Sequence, residues 1–192
     1  SSGIREYPNN VFENCNKLKT IILSPDTETL GQSVFKHCES LAHIEIPESI
    51  QKVGRSLFEW CKKLETINLT SWNLTCLPSF MFYQCNELRS VFLPDSVTEI
   101  EEGCFHTCTS LDGISIPNSV QKIGLNCFLS CQKITVMDLS SCNCSTINKA
   151  AFKYCYSMTT AYLPEKVTVI SEELFDRDKN LVNLTLPPVI IE

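Results

Sequence analysis

The chain has 192 residues, of which 43% are hydrophobic and 20% are charged, a composition that can bury a core and excludes intrinsic disorder. The net charge of −6 comes without clusters of lysine and arginine, which argues against nucleic acid as a partner. No apolar run approaches the roughly 18 residues of a membrane-spanning helix, so we expect no membrane insertion of this segment.

A phenylalanine recurs every 23 or 24 residues along the chain: Phe12, Phe35, Phe58, Phe82, Phe105, Phe128, Phe152 and Phe175. Three residues after each of the first seven stands a cysteine: Cys15, Cys38, Cys61, Cys85, Cys108, Cys131 and Cys155. Asp178 takes that position in the eighth copy. Such a fixed period is the signature of a solenoid, in which each unit buries its apolar face against its neighbours.

Each repeat predicts the same elements in chain order. The phenylalanine, the cysteine and an apolar residue six positions after the phenylalanine share one face of a short helix. An alternating apolar pair at positions nine and eleven, such as Ile67 and Leu69, predicts a strand with one buried face. A proline such as Pro94 ends the strand, and a second apolar pair, Val97 and Ile100 in this copy, marks an extended return.

The repeats therefore predict an α/β solenoid of about eight units, with a parallel sheet on the concave side and short helices on the convex side. Residues 1–192 form one domain in this interpretation. The two 24-residue steps place an extra residue within 69–80 and 139–147, where we expect small bulges. Because terminal repeats normally carry a polar cap and neither end shows one, we expect the chain to be a fragment of a longer array.

Two segments carry a resemblance to a known family: Val-Gly-Arg-Ser-Leu-Phe-Glu-Trp-Cys at 53–61 and Ile-Gly-Leu-Asn-Cys-Phe-Leu-Ser-Cys at 123–131. They resemble the BspA-like leucine-rich repeats, whose units read I-G-x-x-A-F-x-x-C-x-x-L-x-x-I-x-I-P. The glycine of that pattern is present only at Gly31, Gly54 and Gly124. The resemblance implies a right-handed leucine-rich solenoid and a secreted or cell-surface protein of bacteria or parasitic protists, associated with adhesion. It implies no shared catalytic residues.

The seven repeated cysteines, here called the cysteine ladder, are predicted to be buried free thiols that act as small apolar side chains. Disulfides along the ladder remain an alternative, because equivalent α-carbons of adjacent repeats would lie about 5 Å apart. Outside the ladder, Cys104 and Cys127 precede the phenylalanine in successive repeats and are the best disulfide candidate. We expect no metal site, because Cys104, His106 and Cys108 lack a second ligand pair.

No motif for chemistry stands out in the sequence. A phosphate-binding glycine loop, paired carboxylates and a nucleophile with its histidine are all missing, so we expect no catalytic residue, no cofactor and no enzyme activity. His37 and His106 are predicted to lie on the convex face near ladder cysteines that are buried and therefore unreactive.

The outward positions of the strands, eight and ten residues after each phenylalanine, form the predicted binding face. The candidate contact residues on this concave face are His43, Glu45, Asn68, Phe92 and Tyr162. Phe92 and Tyr162 are the candidate anchors, since aromatic side chains dominate binding hot spots. The alternative is that isolated exposed aromatic residues have no special role.

Four glycosylation sequons occur, at Asn68, Asn73, Asn143 and Asn183, and they give weak support for secretion. The leading hypothesis is a non-enzymatic interaction or adhesion module that binds a protein partner, such as a host or extracellular matrix protein. A structural spacer in a larger surface protein and an intracellular scaffold are the alternatives.

Overall fold

The computed structural model describes residues 3–187, and within that range the chain forms twelve short strands and no helix. The strands are β1 (Glu6–Tyr7), β2 (Thr29–Leu30), β3 (Lys52–Val53), β4 (Thr66–Asn68), β5 (Cys76–Leu77), β6 (Ser90–Phe92), β7 (Glu99–Ile100), β8 (Lys122–Ile123), β9 (Val136–Asp138), β10 (Thr146–Ile147), β11 (Thr160–Tyr162) and β12 (Asn183–Thr185).

The strands form two series. Strands pair only with strands of their own series, and every pairing is parallel. Strands five and six residues before a repeated phenylalanine form the sheets β1-β2-β3 and β5-β7-β8-β10. Strands eight to ten residues after it form β4-β6 and β9-β11-β12. The register aligns equivalent residues of successive repeats, as in Ile67 with Val91. Five of the eight strands predicted after the phenylalanines are present. The first two repeats have only an isolated bridge there, between Ile22 and Glu45, and the fifth repeat forms no strand. The extended return of most repeats is itself a short strand.

The segments around the phenylalanines are tight turns, so the prediction of short helices on the convex side is wrong. In each repeat, the residues two before and two after the phenylalanine have a left-handed backbone, for example Ser33 (φ 56°) and His37 (φ 59°) around Phe35. A left-handed residue ends a right-handed helix. The spacing of three arises instead from successive turns, in which the Cys38 amide donates to Phe35 and the Leu41 amide to Cys38, both at 3.0 Å.

These turns are hydrogen-bonded from one repeat to the next. The amides of Ser33, Phe35 and His37 each donate to a carbonyl of the following repeat. The acceptors, in the same order, are the carbonyls of Arg55, Leu57 and Glu59, at 3.0, 3.0 and 2.8 Å. The same pattern recurs around the other phenylalanines from Phe12 to Phe152, and we call it the turn ladder. It uses the backbone groups that a helix would have paired internally.

The repeated phenylalanines stack along the axis of the solenoid. Neighbouring rings lie 5.1 to 5.8 Å apart between centroids and are tilted by only 8° to 17°. The six from Phe35 to Phe152 are fully buried. Each such side chain contributes about 1.5–3 kcal/mol on burial, so the stack is a main source of stability between repeats.

The two 24-residue repeats share one local feature after their strand. The side-chain oxygen of Asn68 accepts a hydrogen bond from the Thr70 amide at 3.0 Å, and that of Asp138 accepts one from the Ser140 amide at 2.9 Å. Each bond closes a turn that accommodates additional backbone. Trp72 follows the first of these turns and packs into the core.

The surface of the molecule has two regions. The strand face consists of the outward residues eight and ten positions after each repeated phenylalanine. The turn face consists of the outward residues from three positions before each repeated phenylalanine to two positions after it.

Thr107 tests the cost of the left-handed positions. It has φ 62°, and a β-branched side chain is strained there, whereas asparagine tolerates this conformation. We expect Thr107→Asn to raise the free energy of unfolding by about 1 kcal/mol, measured by urea denaturation. Thr107→Val, which keeps the branch, is the matched control and should give no gain. Equal stability of the two variants would contradict the assignment of strain.

Candidate functional site

The strand face presents side chains that the fold does not need. The predicted residues His43, Glu45, Asn68, Phe92 and Tyr162 are all exposed on it. Phe92 is 54% exposed and Tyr162 is 38% exposed, while the alternate residues of their strands, Val91 and Ala161, are buried in the core. The structure thus brings the five residues to one face, and their role in binding stays a prediction.

The strand face is interrupted in the fifth repeat. Residues 111–117 form no strand, and β6 and β9 on either side of them have no strand partner across this repeat. Gly113 and Ser115 occupy the outward positions here, and a side chain added at Gly113 would meet no atom within 4 Å. The result is a low region bordered by Phe92 on one side and by Val136 on the other, here called the strand-face notch.

The cysteine ladder is part of the core. Each ladder thiol from Cys38 to Cys155 donates to the carbonyl of the repeated phenylalanine one repeat earlier, with sulfur to oxygen distances of 3.1 to 3.3 Å. Burial raises the pKa of the Cys38 thiol to about 12. These groups are therefore protonated hydrogen-bond donors and poor nucleophiles. Cys15, in the first repeat, is exposed.

Cys104 and Cys127 are both buried free thiols in the structure. Burial is also the main cause that raises the pKa of each. Neither thiol takes part in a disulfide here, and their pairing under oxidising conditions stays a prediction. Within residues 3–187, no group of histidine, cysteine, aspartate and glutamate side chains is arranged to hold a metal ion.

All four sequon asparagines, Asn68, Asn73, Asn143 and Asn183, are exposed. Asn68 lies directly beside Phe92 in the β4-β6 register, and Asn183 lies beside Thr160 in the β11-β12 register. Glycans at these two positions would border the part of the strand face that runs from Phe92 to Tyr162.

Asp178 replaces the ladder cysteine in the eighth repeat. Its side chain is buried, and neither carboxylate oxygen has a hydrogen-bond partner within the described chain. Burial raises the pKa of this carboxyl to about 7, with a smaller contribution from the charge of Asp176. A carboxylate can only accept, whereas the ladder position is occupied elsewhere by a donor, so the ionised form is poorly suited to this site.

The sequence did not reveal a row of aromatic rings on the turn face. His37, Trp60, Tyr83 and His106 belong to four successive repeats and form a chain of ring contacts. The available signal was a run of aromatic residues one or two positions after the repeated phenylalanine. The helix prediction obscured it, because a helix would separate these two positions around its axis.

Stacked parallel strands, a regular apolar core and short repeats define this molecule as a leucine-rich repeat solenoid. More specifically, the chain belongs to the family of BspA type leucine-rich repeat regions, whose model of six copies matches residues 5–135 and 75–192. This agrees with the resemblance read from the sequence. The comparison with curated proteins gives no match.

Solved structures of bacterial proteins share the fold. A leucine rich cell surface protein from Faecalibacterium prausnitzii is 25% identical with a TM-score of 0.71, and the alignment covers 96% of this chain and 59% of that one. The leucine rich repeat protein of T. pallidum is 26% identical with a TM-score of 0.62, over 95% of this chain and 74% of the other. The pneumococcal vaccine antigen PcpA, 16% identical with a TM-score of 0.57 over 94% and 54%, shows the fold alone.

The chain therefore spans less than two thirds of the length of the F. prausnitzii protein. Within residues 3–187, no helix has the length and apolar character needed to cross a membrane.

The state of the cysteines can be tested by counting thiols. In the native protein we expect one of the twelve to react rapidly with Ellman's reagent, because Cys15 is the exposed one. Cys76 should react slowly, since burial raises the pKa of its thiol to about 12. Cys15→Ser should remove the fast phase, and rapid reaction of several ladder thiols would contradict their burial. In denaturant without reductant, ten reactive thiols in place of twelve would indicate one disulfide. An unchanged count of ten in the variant Cys104→Ser/Cys127→Ser, which lacks two of the twelve thiols, would assign that disulfide to Cys104 and Cys127.

Asp178 predicts an unusual dependence of stability on pH. A carboxyl whose pKa is raised in the folded state stabilises the fold when protonated, and this contribution is lost as the pH rises from about 4 to about 7. Relative to Asp178→Asn, which does not titrate, the wild type should lose roughly 2 kcal/mol over this range after allowance for solvent screening. The measurement is chemical denaturation at several pH values. Asp112→Asn, on an exposed aspartate, is the control. A pH-independent difference between wild type and Asp178→Asn would refute the assignment.

Proposed function

We propose that this chain is a non-enzymatic protein-binding module of an exported or cell-surface protein, and that the strand face carries its binding site. The observation that supports this most directly is the exposure of Phe92 and Tyr162 on a face whose neighbouring residues are mostly small and polar. Large aromatic side chains on an otherwise polar surface are the residues that provide most of the energy in protein interfaces.

The strand-face notch adds a shape that a partner can fill. Gly113 and Ser115 leave the middle of the face low, and Phe92 and Val136 stand on either side of it as exposed apolar side chains. Phe92 and Tyr162 lie three repeats apart, which is about 14 Å at roughly 4.8 Å per strand. A folded protein partner can contact both anchors and insert a side chain between them.

Export is supported by the family and by the likeness to a leucine rich cell surface protein. The four exposed sequons are compatible with it. Glycans at Asn68 and Asn183 would limit the usable strand face to the part between them. We therefore place the binding site in repeats four to seven and propose a surface or matrix protein of another cell as the partner.

Absence of enzyme activity is also part of this proposal. Among the described residues, the buried ladder thiols have raised pKa values, and His106 has its pKa lowered by burial. Neither arrangement provides an activated nucleophile with a base beside it.

The test compares the wild-type chain with the double variant Phe92→Ala/Tyr162→Ala in capture experiments on extracellular proteins. A partner that uses the strand face should bind the double variant at least 100-fold more weakly, since two hot-spot side chains cost about 2 kcal/mol or more each. Tyr156→Ala, on an exposed tyrosine outside the strand face, is the matched control and should bind normally.

Three results distinguish the alternatives. If captured partners bind the double variant as well as the wild type, the strand face is not the site. If deletion of two internal repeats in phase leaves the function of the parent protein intact, the chain acts as a spacer. Twelve reduced thiols in protein from its native source would favour an intracellular scaffold.

A further inference from the structure

The turn face carries aromatic rings that the repeat does not require. His37 and Trp60 stack at 5.3 Å between centroids, Trp60 meets Tyr83 edge-on at 6.3 Å, and Tyr83 meets His106 edge-on at 4.9 Å. All four rings are half-buried and none belongs to the phenylalanine stack. Equivalent positions in other repeats hold residues such as Asn14 and Ser130, so the fold alone does not explain these rings.

Phe80 adds a fifth ring, in a backbone conformation that phenylalanine rarely adopts. Its φ is 59°, at a position where the other repeats have smaller or polar residues. Its ring meets that of Tyr83 edge-on at 5.9 Å. A side chain on Gly103 in the next repeat would lie 2.6 Å from two atoms of the Phe80 ring. Strained residues that the surrounding structure holds in place are frequent at functional sites.

Three of these rings, those of Phe80, Tyr83 and His106, border a depression of about 410 Å³ on the turn face. Its lining includes Phe80, Tyr83 and His106 together with the polar side chains of Gln32, Arg55 and Asn126. The volume falls within the range of small-ligand sites. Three of the ten lining residues are aromatic and seven are polar or charged, so a ligand here would meet rings as well as many hydrogen-bonding groups. It is called the turn-face depression below.

The charges of the depression leave one cation without a partner. Lys36 is paired with Glu59 at 2.9 Å, whereas Arg55 makes no ion pair with any described residue. The guanidinium of Arg55 lies 5.6 Å from the centre of the Phe80 ring. Burial lowers the pKa of His106, which disfavours the charged form of its imidazole. The depression therefore carries a free positive charge in a protein whose net charge is −6, which suits a ligand with a carboxylate.

The backbone here cannot bind an extended peptide as an added strand. The amides of Ser33, Phe80 and Gly103 all donate to carbonyls of the following repeat. Recognition must then come from side chains alone. A sugar ring can place its apolar C–H face on an aromatic ring while its hydroxyls bond to amides and an acidic substituent bonds to an arginine.

We propose that the turn-face depression binds an oligosaccharide through a carboxylate-bearing sugar residue, with Arg55 on the carboxylate and the rings of Phe80 and Tyr83 against the sugar. This site lies on a different face from the proposed protein-binding site and does not depend on it. An acidic peptide is the competing occupant that the experiment must separate.

The experiment titrates the full chain by isothermal calorimetry with four probes: 3′-sialyllactose, a glucuronate-containing hyaluronan tetrasaccharide, neutral lactose and a hexapeptide of glutamate. At least one acidic saccharide should bind at least tenfold more tightly than lactose and the peptide. Arg55→Gln and Phe80→Ala should each weaken that binding about tenfold or more. Arg89→Gln, on an exposed arginine outside the depression, is the matched control for charge and should have no effect.

Circular dichroism and thermal unfolding of each variant separate loss of the site from loss of the fold. A folded Phe80→Ala or Arg55→Gln variant with unchanged saccharide binding would overturn the proposal. So would the absence of binding by both acidic saccharides, or peptide binding as tight as theirs with the same sensitivity to Arg55→Gln. None of these outcomes bears on the Phe92 and Tyr162 site, whose test uses protein partners.

Discussion

The hydrogen bonds of the turn ladder are the constraint on which the rest of this structure depends. Three amides around each repeated phenylalanine from Phe12 to Phe152 donate to the following repeat, which fixes the spacing and register of adjacent turns. Once that register is set, the phenylalanine rings stack and each ladder thiol meets the carbonyl of the repeat before it. Within each series, strands of successive repeats then pair in parallel, without any shift between equivalent residues.

This ladder requires two left-handed residues in every repeat. Of these positions in all eight repeats, only one holds a glycine, Gly103. The left-handed residues other than glycine and asparagine, such as Trp60 and Thr107, each carry a steric cost of roughly 1–2 kcal/mol. The packing of the phenylalanines and the hydrogen bonds between repeats offset this cost, since both exist only when the turns are formed. Some of the strained positions, such as Trp60 and Phe80, are partly exposed and belong to the turn face, whereas Ser33, Ser56 and Ala150 are buried.

The repeat period, the strands and the core residues could be predicted from the sequence because an alternating apolar pattern has one structural interpretation. The helices could not be distinguished from turns in this way. A spacing of three places Phe58, Cys61 and Leu64 on one side of a helix, and it equally follows from successive turns closed at every third residue. The asparagine, serine and glycine residues two positions before the phenylalanines were the signal for turns, since these types tolerate a left-handed backbone.

The two candidate sites differ in how far the sequence could locate them. Outward positions on a strand alternate strictly, so the exposure of Phe92 and Tyr162 follows from their position in the pattern. The notch depends on the loss of strand pairing around Gly113, which the pattern does not encode. The turn-face rings are neighbours only because the segment is a turn. A helix would have rotated Trp60 and Tyr83, two and one positions after their phenylalanines, away from each other.

The geometry of the two faces also determines what size of ligand each can hold. On the strand face the apolar anchors are separated by three repeats, so a ligand gains from both only if it is itself a large rigid body. On the turn face, the rings of Phe80, Tyr83 and His106 each lie within 5.9 Å of another of the three and border a single depression, so a ligand of one or two sugar residues can contact several of them. Between the faces lies the stack of phenylalanine rings, a close-packed core in fixed register. Because such a core does not deform easily, occupation of one face should leave the geometry of the other unchanged, and the two sites can act independently.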